Sequence, residues 1–133
     1  MLQTKLTPNI IEQMAYEIRR FLLDHLAWID VCIYFNGKRL STDLGKNFYY
    51  NKDVICLEEN INPRDYFEYT GNILCMSFEG ELYHILHYGY DKESEAIRNG
   101  LYKIFRKYGC FHEFGDAWNL ALYEMNELPY IVR

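Results

Sequence analysis

The chain has 133 residues, half of them hydrophobic and a quarter charged, with a formal net charge of −5. These values suit one folded domain over residues 1–133 with a core of its own, and they exclude a disordered chain. The negative balance argues against nonspecific binding to nucleic acid or to an anionic membrane, since both need a basic face.

In chain order, "TPNIIEQMAYEIRRFLLDHLAW" opens as a helix. Thr7 suits the N-cap and Pro8 the first helical position. Ile10, Ile11, Met14, Ile18, Phe21, Leu22 and Leu26 recur at helical spacing, which predicts an amphipathic helix of about five turns docked by one stripe. "DVCIYF" then changes to strand periodicity, with both faces largely apolar. Asn36-Gly37 supplies the two positive φ values of a type I′ turn, so a hairpin is expected, with Lys38–Thr42 returning as a more polar edge strand.

A short strand is expected around Asp53–Leu57. "NINPRDYFEYTGN" predicts a short helix capped by Asn62, started by Pro63 and stopped by Gly71. "NILCMSFEG" predicts an apolar strand and "ELYHILHYG" a short helix. "DKESEAIRNGLYKIFRKYG" predicts a longer helix whose stripe is Ile97, Leu101, Ile104, Phe105 and Tyr108. Its acids come early and its bases late, as the helix dipole favours, and Gly109 ends it. Gly100, inside it, marks a close approach of this helix to the sheet. "CFHEFGDAWNLALYEM" predicts one bent strand or two strands broken at Gly115-Asp116, with Trp118 entering the core.

The resulting fold class is α+β: an antiparallel or mixed sheet of four to six strands, with two long helices and one or two short ones packed mainly on one face. The N-terminal stretch contains acids and no uninterrupted apolar region, so no signal peptide is read there. No apolar run approaches the roughly 18 residues needed to cross a bilayer. A cytoplasmic protein is expected, its four cysteines reduced. Cys32, Cys56 and Cys75 lie in apolar stretches and read as small hydrophobes.

Charge is unevenly spread. Residues 1–40 hold five basic and four acidic side chains, residues 83–133 six and seven, and residues 41–82 three and eight. The middle third thus carries the net charge, either as a solvated face or as a surface for a basic partner. The chain is also rich in tyrosine, with 13, a residue that suits half-buried strands and binding surfaces.

Chemistry-bearing groups are few. His84 and His87 sit three apart, but no Cys-x-x-Cys accompanies them, and no metal is expected at them or at Cys110/His112. Cys110 and His112 share a strand face with Cβ atoms roughly 7 Å apart, too far for a direct thiol–imidazole bond. Cys110 also follows a helix C-terminus, where the dipole opposes a thiolate. Glu58-Glu59 and Glu79-x-Glu81 are carboxylate pairs of a kind common on surfaces. Lys38, Arg39 and Lys46, and Arg98, Lys103, Arg106 and Lys107, are the basic clusters, each with acids close by in sequence. No catalytic residue and no cofactor is expected.

The segments "AWIDVCIYFNGKRLST", "INPRDYFEY", "LCMSFEGELYHIL" and "GDAWNLALYEM" resemble small accessory proteins carried by phages and conjugative elements of low-GC Gram-positive bacteria. The resemblance spans roughly residues 15–125 and carries no catalytic motif. It implies a non-enzymatic anti-defence factor of the anti-CRISPR type. Such a factor would bind a CRISPR effector nuclease in the host cytoplasm and occupy its basic nucleic-acid-binding surface. A CRISPR nuclease holds its heteroduplex in a positive channel and reads the PAM with arginines, and acidic and tyrosine side chains compete for arginines by charge-assisted hydrogen bonds and stacking. The candidate partner surface is Glu58, Glu59, Asp65, Glu68, Glu79 and Glu81 with Tyr49, Tyr50, Tyr66 and Tyr69. The alternatives are a regulatory or structural interaction module of a mobile element, as a homodimer, and, third, a small enzyme or metal-binding protein.

Overall fold

The computed structural model describes residues 6–42, 51–62 and 72–125. Helix α1 is Pro8–Asp24, β1 is Val31–Phe35, β2 is Lys38–Ser41, β3 is Cys56–Glu58 and β4 is Leu74–Phe78. Helix α2 is Glu81–His87, α3 is Lys92–Lys107, β5 is Cys110–Phe114 and β6 is Asn119–Glu124. The six strands form one sheet in the order β3-β2-β1-β4-β6-β5, antiparallel throughout. The fold is α+β, as the element pattern predicts. The helix expected between Asn62 and Gly71 lies outside the described residues.

Local signals explain the elements. Thr7 Oγ1 accepts from the Ile10 amide at 3.3 Å with Pro8 at the first helical position, and Asp91 caps α3 by accepting from the Ser94 amide at 2.8 Å. Asn36 (φ +51°) and Gly37 (φ +74°) make the tight turn between β1 and β2. The Asn36 side-chain Nδ2 also donates to the Pro8 carbonyl at 2.8 Å, tying that turn to the start of α1.

Strand alternation sorts the sheet into two faces. Val31, Ile33, Phe35, Leu40, Leu74, Met76, Phe78, Leu120 and Leu122 point to the helices and join Met14, Ile18, Leu22, Leu82, Ile97, Leu101 and Phe105 in one buried core. Tyr34, Cys75 and Ala121 form a second, small buried cluster on the opposite face, with Cys32, Ile61 and Tyr123 against it.

Several expectations are corrected. Strand β2 is an interior strand between β1 and β3; the sheet's edges are β3 and β5. The basic residues of β2 serve ion pairs instead, Lys38 with Glu12 at 3.5 Å and Arg39 with Glu58. The third strand is shorter than the 53–57 run and shifted to Cys56–Glu58, because Asp53 is drawn to α1, where it accepts from Arg19 at 2.7 Å and from Arg20 at 2.5 Å. Leu26 is past the end of α1, at φ +58°, and exposed. Gly100 marks a helix–helix contact: a Cβ there would strike the ring of Phe21 in α1, not the sheet. Trp28, not Trp118, is the core tryptophan, with no exposed surface. The end of the chain's sheet region is two strands, joined by a turn in which Asn119 Oδ1 accepts from the Asp116 amide at 2.9 Å.

Candidate functional site: the corner between the short helix and the edge hairpin

Helix α2 is seven residues long and buries only Leu82, Ile85 and Leu86. Its other side carries Tyr83, His84 and His87, and Tyr88 follows as its C-cap. His87 Nε2 donates to the Ala117 carbonyl at 2.5 Å, which fastens α2 to the turn between β5 and β6 and fixes the proton on Nε2. The His87 ring lies 4.8 Å from that of Phe114. Tyr83 is ringed by His84, His87 and Tyr88 at 5.3–5.8 Å. On the same side of the sheet, His112 stacks on Tyr102 of α3 at 4.2 Å.

This corner presents ring surface outward. Tyr90 is 88% exposed, Tyr88 57%, and Phe114 and Trp118 39% each. The turn that carries Tyr88 and Tyr90 is braced by hydrogen bonds. Arg98 of α3 reaches back to the carbonyls of Ile85 (2.8 Å) and Gly89. Arg98 is therefore a bracket for the α2–α3 turn, not a member of a basic patch.

Strand β5 forms the rim of the corner. The Met125 amide donates to the Gly109 carbonyl at 2.9 Å and the Gly115 amide to that of Asn119 at 3.2 Å. In an antiparallel ladder this phase turns the odd residues of β5 toward β6 and directs the N–H and C=O groups of His112 and Phe114 outward. No strand among the described residues lies on that side. On the sheet face away from the helices, Phe111 stacks on Tyr123 at 5.6 Å, and a cleft of about 200 Å³ is lined by Glu113, Phe114, Gly115 and Tyr123. Burial, and next the charge of Glu113, keeps the Tyr123 phenol protonated above its ordinary range.

Among the described residues, the acids expected to form one surface fall into two separate pairs. Glu58 is half-buried on edge strand β3 and accepts from Arg39 Nε at 2.6 Å, and Glu59 is exposed just beyond it. Glu79, just past β4, and Glu81, the first residue of α2, are exposed. Glu58 lies in the row Glu58–Arg39–Tyr34–Cys75, and Glu79 is four residues beyond Cys75. Strand spacing and rise put the two pairs roughly 20 Å apart. Asp65, Glu68, Tyr49, Tyr50, Tyr66 and Tyr69 lie outside the described residues.

The thiols and histidines form no reactive cluster among the described residues, where no group of three His, Cys, Asp or Glu side chains could hold a metal. Cys110 is fully buried on the helix side. Burial pushes the Cys75 thiol up to about 12 and raises that of Cys32, which keeps both protonated at neutral pH. No helix among the described residues is long and apolar enough to cross a membrane. Of the basic side chains, Lys107 is held by Glu17 at 2.5 Å, while Lys103 and Arg106 are exposed on α3.

The aromatic corner was not among the residues singled out from sequence. Its signal is the density of rings in "LYHILHYGY", five of nine positions, around a helix with only three buried residues. The contribution of Phe114 and Trp118 depends on the packing of α2 against a hairpin some thirty residues later. No protein-family model, no curated protein and no solved structure matches this chain.

Proposed function

We propose that this protein is a non-enzymatic protein-binding module that engages its partner through the corner formed by α2, β5 and the β5–β6 turn. The observation that carries the reading is the exposed ring surface of Tyr88, Tyr90, Phe114 and Trp118 beside the unpaired backbone edge of His112 and Phe114. Aromatic side chains are the commonest anchors of protein interfaces because they bury large areas at low entropic cost. A free strand edge adds main-chain hydrogen bonds to an extended partner segment.

The narrower reading is an anti-CRISPR inhibitor encoded by a mobile element, acting in the host cytoplasm. Its support is the resemblance described above together with the net charge of −5, which suits a partner with a basic nucleic-acid channel. The test is to mix the protein with purified, guide-loaded CRISPR effector nucleases and follow co-elution and DNA cleavage. The inhibitor reading expects a complex and blocked cleavage, both lost in a Tyr90→Ala/Trp118→Ala double variant. Complex formation that survives the double variant would move the interface elsewhere. Neither complex nor inhibition across the effectors would overturn the inhibitor reading.

A further inference from the structure

We propose that the cleft beside β5 receives the guanidinium of an arginine carried by an extended partner segment, paired with the outer edge of that strand. The inference rests on the protein-binding reading and names the chemistry of the segment bound.

Geometry supplies the first argument. A segment paired with the outward groups of His112 and Phe114 continues the sheet, so its side chains alternate between the two faces. Those on the face away from the helices fall beside Phe111 and Glu113, where the cleft opens. At about 200 Å³ the cleft exceeds the roughly 150 Å³ that accommodates a benzene ring, so a planar guanidinium fits.

The lining supplies the second. The Glu113 carboxylate is exposed and joins no ion pair among the described residues. The Tyr123 ring is steadied by its stack on Phe111; Gly115 and Phe114, whose ring turns to the helix side against His87, line the rest of the cleft. A carboxylate beside aromatic rings selects a flat, weakly hydrated cation, which donates charge-assisted hydrogen bonds to the one and stacks on the other. An ammonium, compact and strongly hydrated, matches this lining less well. Among the described residues, the cation Arg39 on this face does not fill the role. Arg39 lies in the same cross-sheet row but four strands away, roughly 19 Å, and is bound to Glu58.

The experiment is an amide NMR titration of the full chain with two probes. One is N-acetyl-arginine N-methylamide, and the other is a blocked peptide of alternating threonine and valine with one central arginine; citrulline versions are the controls. The small arginine probe is expected to shift the amides of Glu113, Gly115 and Tyr123, while its citrulline counterpart leaves them in place. The arginine peptide is expected also to shift and protect the amides of His112 and Phe114, and to bind at least about tenfold more tightly than the citrulline peptide. Glu113→Gln should erase that preference and leave the edge pairing, while Tyr123→Phe, which keeps the ring, should retain it.

If the arginine and citrulline peptides bind alike, the cleft assignment falls while the protein-binding reading stands. If neither peptide touches His112 and Phe114, edge pairing itself falls. Concentration-dependent shifts of those two amides in the protein alone would show the edge to be taken by a second copy, which overturns the proposal.

Discussion

The buried guanidinium of Arg19 in α1 donates to the carboxylate of Asp53 at 2.7 Å, across 34 residues of sequence, while lying 5.8 Å from the centre of the Trp28 ring. One cation thus joins the first helix, the core tryptophan and the approach to β3. Its Nε is buried with no hydrogen-bond partner, so the side chain contributes as much by packing as by charge. Arg19→Ala is expected to lower stability by about 2–4 kcal/mol. Arg19→Met, which keeps the volume and drops the unsatisfied nitrogen, should recover more than half of that loss in urea melts. Equal losses for the two variants would make the ion pair, not the packing, the larger contribution.

His112 sets a pH dependence. Burial against Tyr102 and Phe105 lowers its pKa below the ordinary imidazole value of about 6.5. The unfolded chain therefore binds this proton more readily than the folded one. The stability tied to neutral His112 is fully present above the unfolded value and is lost as pH falls through the window below it. Urea midpoints are expected to decline from pH 7.5 to 5.5, and His112→Phe should flatten that decline. A slope unchanged in the variant would assign it to other groups.

The two tryptophans should separate folding from binding. Trp28→Ala removes a fully buried side chain and is expected to cost about 3–5 kcal/mol. Trp118→Ala, at the exposed corner, should change the unfolding free energy by no more than an ordinary surface substitution does, about 0.5 kcal/mol, and should weaken partner binding. A collapsed fold in Trp118→Ala would return that residue to the core.

Gly89 stands where α2 turns into α3. A Cβ there would overlap the side chain of Ser94 and sit 3.2 Å from the Ile85 Cα, and the Gly89 carbonyl is an acceptor for Arg98. Gly89→Ala is expected to destabilise by about 1–3 kcal/mol, because backbone as well as side chain must give way. The Tyr88 and Tyr90 rings should loosen with it, visible as sharpened amide signals at those positions.

What the sequence reveals here follows the range of the forces involved. Thr7-Pro8 and Asn36-Gly37 act within four residues, and α1 and the β1–β2 turn stand where these signals place them. Strand order depends on contacts between distant segments, so β2, rich in charge, read as an edge although Glu58 arrives from β3 to pair with Arg39. Trp118 and Trp28 sit in equally apolar surroundings in sequence. Only the docking of α1 and the 51–53 segment over Trp28, with Asn51 Oδ1 accepting from its amide at 2.9 Å, decides which ring is enclosed. The aromatic corner was hidden for the same reason: half of it comes from α2 and half from a hairpin placed beside it by the β4–β6 ladder.

The strand order has one more consequence. Strands β1–β3 come from residues up to Glu58 and strands β4–β6 from Leu74 onward, and among the described residues the only ladder joining the two sets is β1 with β4, Val31–Tyr34 against Phe78–Cys75. The sheet is two consecutive three-stranded halves sutured along a single seam, the first carrying α1 and the second α2 and α3. A chain severed between Asn62 and Asn72 therefore separates along a boundary the fold already contains. The two pieces are expected to reassemble when co-expressed, which makes this protein a natural candidate for a split reporter.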